Sequence, residues 1–141
     1  MKQFKILLTL VVLFSTLQFV SCSKKDNTPV DQIVVLLDNG VEKVESINSM
    51  AELTDVKNIV SANEVWKIIQ ENSNYELTKG DKEKLKKSYN KLVEAAYKKS
   101  SECIPSDEYK KTVKNQLDLL MEGINRSIDS AKTLGEIKGF N

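Results

Sequence analysis

The sequence predicts an all-α fold, a small bundle of about four helices that follows a flexible N-terminal segment. Two observations lead to this prediction. Apolar residues recur at intervals of three and four along most of the chain, which is the spacing of residues on one helix face. Short polar residues with helix-capping side chains precede several of these runs. We therefore expect one helical domain over residues 31–141, which is long enough for a single core.

The clearest helix is predicted over Thr78–Ser101. Thr78 can cap its first turn, and Asp81 stands three residues later in the acidic position of a capping box. Lysine and glutamate fill the side opposite the apolar residues, so we expect one buried face and one solvated face. The apolar stripe consists of Leu85, Tyr89, Leu92, Val93, Ala96 and Tyr97.

A second long helix is predicted from Ser106 to about Ala131. The segment before it, Cys103-Ile104-Pro105, makes a tight connection, because proline disfavours helical geometry in the residue that precedes it. We expect so short a connection to leave the two helices adjacent and antiparallel. The apolar stripe of this second helix consists of Tyr109, Val113, Leu117, Leu120, Met121, Ile124 and Ile128.

The first part of the domain has two interpretations. Residues 33–47 carry apolar residues at helical spacing, but they also contain a β-rich run that leads into Asn39-Gly40, a strong hairpin signal. We favour a helix, because Val41, Val44 and Ile47 stand three residues apart and would be scattered over both faces of a strand. Gly40 would then destabilise the helix interior by about 1 kcal/mol relative to alanine.

Two further capping boxes predict shorter helices between these long ones. Ser49-Met50-Ala51-Glu52 opens the first of them, and Ser61-Ala62-Asn63-Glu64 opens the second. The second helix would present the only tryptophan, Trp66, on an apolar stripe with neighbouring valine and isoleucine residues. We expect Trp66 to pack in the core.

The first 22 residues have the features of an export signal. Lys2 and Lys5 precede an apolar stretch that extends to Val20. Polar residues interrupt this stretch, and it is shorter than the roughly 20 residues needed to span a bilayer, so a transmembrane anchor is the weaker interpretation. The stretch ends in Phe19-Val20-Ser21-Cys22, a four-residue pattern that resembles the lipobox of bacterial lipoproteins.

The resemblance covers about the first 27 residues and implies a lipid-anchored protein. It implies removal of residues 1–21 as a signal peptide, a thioether-linked lipid on Cys22, and acylation, as by palmitate, of the new amino terminus. Residues 22–30 would form a flexible tether, and two or three acyl chains would make attachment to the membrane stable. An acidic residue directly after the cysteine is associated with retention in the inner membrane, and its absence favours the outer membrane. Display on the cell surface and on the periplasmic face both remain open.

Composition argues against several classes of function. Cleavage would remove Lys2 and Lys5, which leaves 19 basic residues against 20 acidic ones and a net charge of −1, so nucleic acid is not expected as a partner. The chain has no histidine, and this removes imidazole-based catalytic sites and weakens any zinc or copper site. We predict no catalytic, metal-binding or cofactor-binding residue. Cys103, whose role stays open, is expected to be a half-buried apolar residue.

Asp118 and Glu122 stand four residues apart on one helix face, as an acid/base pair would require. We interpret them as solvated surface residues, because no second pair completes a site. The sequence therefore favours a lipid-anchored envelope protein that acts as a non-enzymatic binding module for an unknown protein or glycan. Two alternatives remain: a small carboxylate-dependent enzyme that uses Asp118 and Glu122, and a protective lipoprotein of the immunity or inhibitor type.

Overall fold

The computed structural model describes residues 27–49 and 62–139. These residues form an all-α bundle, as predicted, and no β-strand occurs within either range. The predicted lipidation site at Cys22 lies outside the described residues. The four helices are α1 (Pro29–Ser46), α2 (Ala62–Glu71), α3 (Lys79–Cys103) and α4 (Asp107–Ser130), and a 3-10 turn, Leu134–Glu136, follows α4.

α1 is one continuous helix, which confirms the favoured interpretation over a hairpin at Asn39-Gly40. The helix starts at Pro29, inside the segment expected to be a tether, and Val30 is already fully buried. Thr28 Oγ1 accepts a hydrogen bond from the Asp31 backbone N–H at 3.1 Å, and proline is favoured directly after such a cap because its missing N–H would have no partner there. The helical domain therefore begins two residues earlier than expected.

α1 packs along α3, the central helix of the bundle, in a parallel direction. Early in both helices, Lys84 Nζ lies 2.8 Å from Asp31 Oδ1. Near the end of α1, Val44 belongs to a small buried cluster against which Leu92 packs. Since these contacts advance in the same direction along both helices, α1 and α3 run parallel.

α4 also packs against α3, but in the antiparallel direction predicted from their short connection. Asn125 Nδ2 donates a hydrogen bond to Asn90 Oδ1 at 3.0 Å, and Lys86 Nζ lies 2.6 Å from Asp129 Oδ1. Late residues of α4 therefore meet early residues of α3. Ser106 caps α4, as its hydroxyl oxygen accepts a hydrogen bond from a backbone N–H of the first turn at 3.4 Å.

The capping box at the start of α3 is confirmed. Asp81 N–H donates to Thr78 Oγ1 at 3.1 Å, and Thr78 N–H donates to Asp81 Oδ2 at 3.0 Å. Asp81 is buried, and Tyr75 Oη lies 3.5 Å from the same carboxylate oxygen. Backbone N–H groups that lack partners inside the helix are thus satisfied by side chains.

One hydrophobic core joins the four helices and the C-terminal segment. Trp66 is half-buried and packs against this core, as predicted. The capping box predicted at Ser49 continues outside the described residues, and Ser61 also lies outside them. The buried members of the core are Val30, Ile33, Leu37, Val65, Ile69, Leu85, Tyr89, Val93, Ile124, Ile128, Ala131, Leu134 and Ile137.

The segment after α4 is fastened to the linker between α2 and α3. The backbone N–H groups of Leu134 and Gly135 donate to the carbonyl oxygens of Tyr75, at 2.9 Å, and of Ser73, at 3.0 Å. A Cβ atom on Gly135 would lie 2.8 Å from Ser73 Cβ and 2.9 Å from Ser73 O. Only glycine permits so close an approach between the two segments.

Two expectations about burial were wrong. Cys103 is exposed, and the neighbouring Ile104 is buried instead, because α3 ends at Cys103 and the inward position falls on the first extended residue after it. Tyr109 and Leu120, expected on the buried stripe of α4, are 56% and 51% exposed. Successive residues are about 100° apart around a helix axis, so Tyr109 and Leu120 lie roughly 60–80° around α4 from the mean direction of the buried Ile124 and Ile128. At that angle they do not face α3.

Candidate functional site

α4 leaves most of its surface open to solvent. Only Ile124 and Ile128 are buried among its 24 residues. The helix contacts α3 along one side, and its last turns also meet the C-terminal segment through Ser127. The chemistry of the remaining surface therefore decides what α4 can bind.

Helical geometry divides this open surface into a charged side and an uncharged side. At about 100° per residue, all nine charged residues of α4 lie outside an arc of about 100° that runs around the helix from Leu119 to Leu120. We call this arc the outer face of α4. It consists of Tyr109, Thr112, Gln116, Leu119, Leu120, Gly123, Ser127 and Ser130.

The outer face concentrates exposed apolar side chains. Tyr109, Leu120 and Leu119, the last of which is 69% exposed, are three of the four large hydrophobic residues exposed in residues 27–49 and 62–139. Single exposed apolar residues are ordinary, whereas a contiguous patch of them marks an interaction surface. Leu119 and Leu120 are adjacent in the chain, and Tyr109 lies about 15 Å from them along the helix axis. Gly123 adds a depression, because a Cβ atom built there meets no other atom within 4 Å. A foreign side chain could therefore approach the helix backbone at this point.

A shallow groove of about 670 Å³ lies at the C-terminal end of the outer face. Leu120 and Gly123 belong to its α4 wall, and residues 136–139 contribute to the opposite wall. Ser127 Oγ accepts a hydrogen bond from the Lys138 backbone N–H at 2.7 Å. This bond holds the C-terminal segment along α4 and so maintains the groove.

The two candidate carboxylates lie on the charged side of α4 and do not converge. Lys114 Nζ lies 2.7 Å from Asp118 Oδ2, and Arg126 forms an ion pair with Glu122. The hydrogen-bonded Asp118 carboxylate raises the pKa of Lys114. Each carboxylate is thus paired with a basic residue of its own helix, and neither lines the groove beside the outer face. This is the geometry of the solvated face that we expected.

Outside α4, titratable groups with shifted pKa values lie in the core or at the contact between α1 and α3. Burial raises the pKa of Tyr89, which lies in the core. Hydrogen bonds from Lys84 and Thr28 lower the pKa of Asp31. Across the two described ranges, no three histidine, cysteine, aspartate or glutamate side chains are grouped as a metal site would require.

A second and smaller groove, of about 420 Å³, lies between α1 and α2. Its apolar part includes Val35, the remaining large exposed hydrophobic residue of the described ranges. Charged side chains of α2 surround it, among them Lys67 and Glu71, whose charged atoms lie 3.8 Å apart. The charged rim makes this groove a weaker candidate than the outer face of α4.

None of the helices α1 to α4 combines the length and the apolar character needed to cross a bilayer. A comparison with protein-family models, with curated proteins and with solved structures finds no match to this chain. The candidate site therefore depends on geometry and chemistry alone.

Sequence reasoning missed the outer face, although its signal was present. Tyr109 and Leu120 were assigned to the core stripe because they are apolar and fit helical spacing. The width of the uncharged arc around α4 is the sequence feature that could have revealed the outer face, because this arc runs about 160° from Leu119 past Leu120 to the buried Ile124 and the half-buried Leu117.

Proposed function

We propose that this chain is a bacterial lipoprotein, lipidated at Cys22 and held at the outer membrane, whose helical domain is a non-enzymatic interaction module. The outer face of α4 is the proposed contact surface, and the proposed partner is a protein. One observation carries the proposal: α4 has no charged residue on an arc that extends from Tyr109 to Ser130, and every residue of this arc except the half-buried Ser127 is exposed.

The composition of the outer face supports a protein partner. Protein interfaces combine an apolar centre with a neutral or polar rim and are depleted of charge at the centre. Here Leu119 and Leu120 supply apolar side chains halfway along the helix, one at each edge of the arc, and Thr112, Gln116 and Ser130 between them are neutral and polar. The polar side chains of this face could donate hydrogen bonds to either kind of partner, but the exposed apolar surface of Leu119 and Leu120 matches a protein surface better than the hydroxyl groups of a glycan. The face therefore favours a protein over a glycan.

The position of the predicted anchor supports a partner within the envelope. α1 begins at Pro29, seven residues after Cys22, and seven extended residues span at most about 25 Å. A lipid on Cys22 would hold the domain within this distance of the membrane surface. Such confinement raises the effective concentration of partners at the same membrane.

Photo-crosslinking in whole cells tests the contact surface. Cells that make the full chain would carry a photo-activatable residue at Leu119, with a matched control at Glu83, an exposed position of α3. We expect a protein adduct from position 119 and none from position 83. Equal labelling from both positions, or no adduct from position 119, would contradict the proposed surface.

Mass spectrometry of the native product tests the anchor. We expect residues 1–21 to be absent and Cys22 to carry lipid, and we expect Cys22→Ser to release the protein from the membrane fraction. An unmodified thiol at Cys22, or a product that retains the leader, would refute the lipoprotein part of the proposal and leave the contact surface to be judged separately.

A further inference from the structure

The outer face of α4 is self-complementary, and we propose that it binds α4 of a second copy of this chain in an antiparallel, two-fold symmetric pair. This inference rests on the proposed function, for which it names the partner. Charge, shape and hydrogen-bonding capacity along the helix each place the two-fold axis near residue 117.

Charge gives the first placement of the axis. Glu108 and Arg126 lie at the same angle around α4, at one edge of the outer face, and are 18 residues or about 27 Å apart. In an antiparallel pair centred on residue 117, Glu108 of one copy lies beside Arg126 of the other, and symmetry creates the contact twice. Arg126 already pairs with Glu122, and its five N–H donors allow a second carboxylate to bind.

Shape gives the second placement. Tyr109 stands near the start of the outer face, whereas the groove beside Gly123 and Ser127 lies near its end. Antiparallel pairing of Tyr109 with these two positions places the axis between residues 116 and 118. The Tyr109 ring of each copy then enters the groove of the other at the point where Gly123 leaves open space.

Hydrogen-bonding capacity gives the third placement. Gln116 is exposed at the middle of the arc and close to the axis, so it meets its own symmetry mate. An amide side chain has both donors and an acceptor, and two of them can therefore pair across a two-fold axis. Leu119 and Leu120 stand on either side of this contact and supply apolar surface to the interface.

The antiparallel pair fits the outer face better than a parallel pair or docking on a lipid surface does. A parallel pair would set Tyr109 beside Tyr109, which leaves the grooves unfilled, and would place Glu108 and Arg126 beside the uncharged edge of the partner, where neither meets an opposite charge. It would also align the two helix dipoles unfavourably. Docking on an anionic lipid surface is disfavoured, because such binding depends on basic residues around an apolar face, and the edge of the outer face that carries Arg126 also carries the acidic Glu108.

Cysteine crosslinking of the full chain in cells tests the pairing. Cys103 is exposed, so the variants are made with Cys103→Ser. Gln116→Cys lies near the axis, and Asn115→Cys, the matched control, is exposed on the charged side of the same turn. On oxidation we expect position 116 to give a species of twice the chain mass, and position 115 to give none. Equal crosslinking from both positions would overturn the pairing.

The crosslinks separate failure of this inference from failure of the proposed function. If position 116 gives no dimer while position 119 captures a different protein, the proposed pairing with a second copy is refuted. The proposal that the domain is an interaction module is then supported. If neither position yields any adduct, both proposals fail. Capture of lipid from position 119 would replace the protein partner by the membrane surface.

Gly123→Leu tests the groove with little risk to the fold, because Gly123 is exposed and a Cβ atom at this position meets no other atom within 4 Å. We expect it to lower the association constant of the full chain, purified in detergent and measured by sedimentation, by roughly tenfold or more. Gly80→Leu is the control: Gly80 is exposed on α3, away from the proposed interface, and this variant should leave association unchanged. An unaltered association constant for Gly123→Leu would overturn the docking of Tyr109.

A charge exchange tests the register. Glu108→Arg alone and Arg126→Glu alone should each weaken association, because each sets like charges opposite one another across the pair. The double variant exchanges the two charges and should restore the dimer. If the double variant associates no better than either single variant, the antiparallel register centred on residue 117 is wrong.

Discussion

α1 and α4 pack against the same central helix and have the same apolar periodicity, yet they differ in how much of it they bury. α1 buries its stripe from Val30 to Val44, whereas α4 buries only Ile124 and Ile128. α1 is covered by α2 as well as by α3, whereas α4 makes its main helix contact with α3 and adds a hydrogen bond to the short C-terminal segment. Periodicity thus predicts an apolar face, and the neighbours decide whether that face becomes core or surface.

A matched pair of leucine truncations should show the largest difference between the two helices. Leu37→Ala in α1 removes a buried side chain and leaves a cavity, so we expect it to lower the free energy of unfolding by about 2–5 kcal/mol. Leu119→Ala in α4 removes an exposed one and should change it by less than about 0.5 kcal/mol in the monomer. Urea denaturation followed by circular dichroism measures both. Comparable losses would mean that the outer face is covered within one chain.

A pair of glycines extends the comparison to the chain segments beside α4. Gly135→Ala forces a Cβ atom against Ser73 and should destabilise the fold by about 1–3 kcal/mol. Gly123→Ala adds a Cβ atom in open space within a helix and should stabilise it by about 0.5–1 kcal/mol. Thermal unfolding distinguishes the two signs. Destabilisation by Gly123→Ala would show that the open space beside it is occupied.

The caps of α3 and α4 provide a third matched pair. Thr78 makes a reciprocal capping box with buried Asp81, so we expect Thr78→Ala to lower the free energy of unfolding by about 1–2 kcal/mol. Ser106 makes one exposed hydrogen bond of 3.4 Å, and Ser106→Ala should lower it by about 0.5 kcal/mol. Urea denaturation measures both losses from the shift of the unfolding midpoint, provided that the dependence of the unfolding free energy on urea concentration is unchanged. A larger loss for Ser106→Ala than for Thr78→Ala would mean that the exposed cap of α4 contributes more to stability than the buried capping box of α3.

The features that could be predicted from the sequence are those that local chemistry determines. The capping box of Thr78 and Asp81 and the antiparallel connection through Pro105 are both encoded within a few residues, and both are confirmed. The continuous helix at Gly40 followed from the spacing of apolar residues nearby. The burial of Ile104 in place of Cys103 depended on the residue at which α3 ends, which periodicity locates only approximately.

The features that could not be predicted depend on contacts between distant parts of the chain. Nothing local indicates that α1 runs parallel to α3, or that Leu134 is fastened to Tyr75. The outer face illustrates the same limit, because the uncharged arc is visible in the sequence but its exposure depends on which helices pack around α4. The buried and the exposed parts of this one uncharged arc look alike until the position of α3 is known.

The smallest expected change in the free energy of unfolding comes from ion pairs. Asp31 pairs with Lys84 between α1 and α3, whereas Asp118 pairs with Lys114 within α4. Lys84 and Thr28 both donate hydrogen bonds to Asp31, at 2.8 and 2.9 Å, and lower its pKa. The folded state therefore favours the carboxylate, so this stabilisation is present above the unfolded-state pKa of about 3.9 and is lost as the pH falls through the lower folded-state value. Asp31→Asn should weaken the fold slightly at pH 7, and the difference from the parent chain should disappear in acid.

Asp118→Asn is the matched control, because Asp118 pairs with Lys114 inside α4 and joins no two helices. Both pairs are partly exposed, so solvent screening keeps both effects small and added salt should reduce them further. Asp31→Asn should still give the larger loss, since Asp31 binds both the cap of α1 and a lysine of α3. Unfolding curves collected from neutral to acidic pH measure this difference. An equal pH dependence for the two variants would show that the contact between α1 and α3 gains nothing from Asp31 beyond what an isolated surface pair provides.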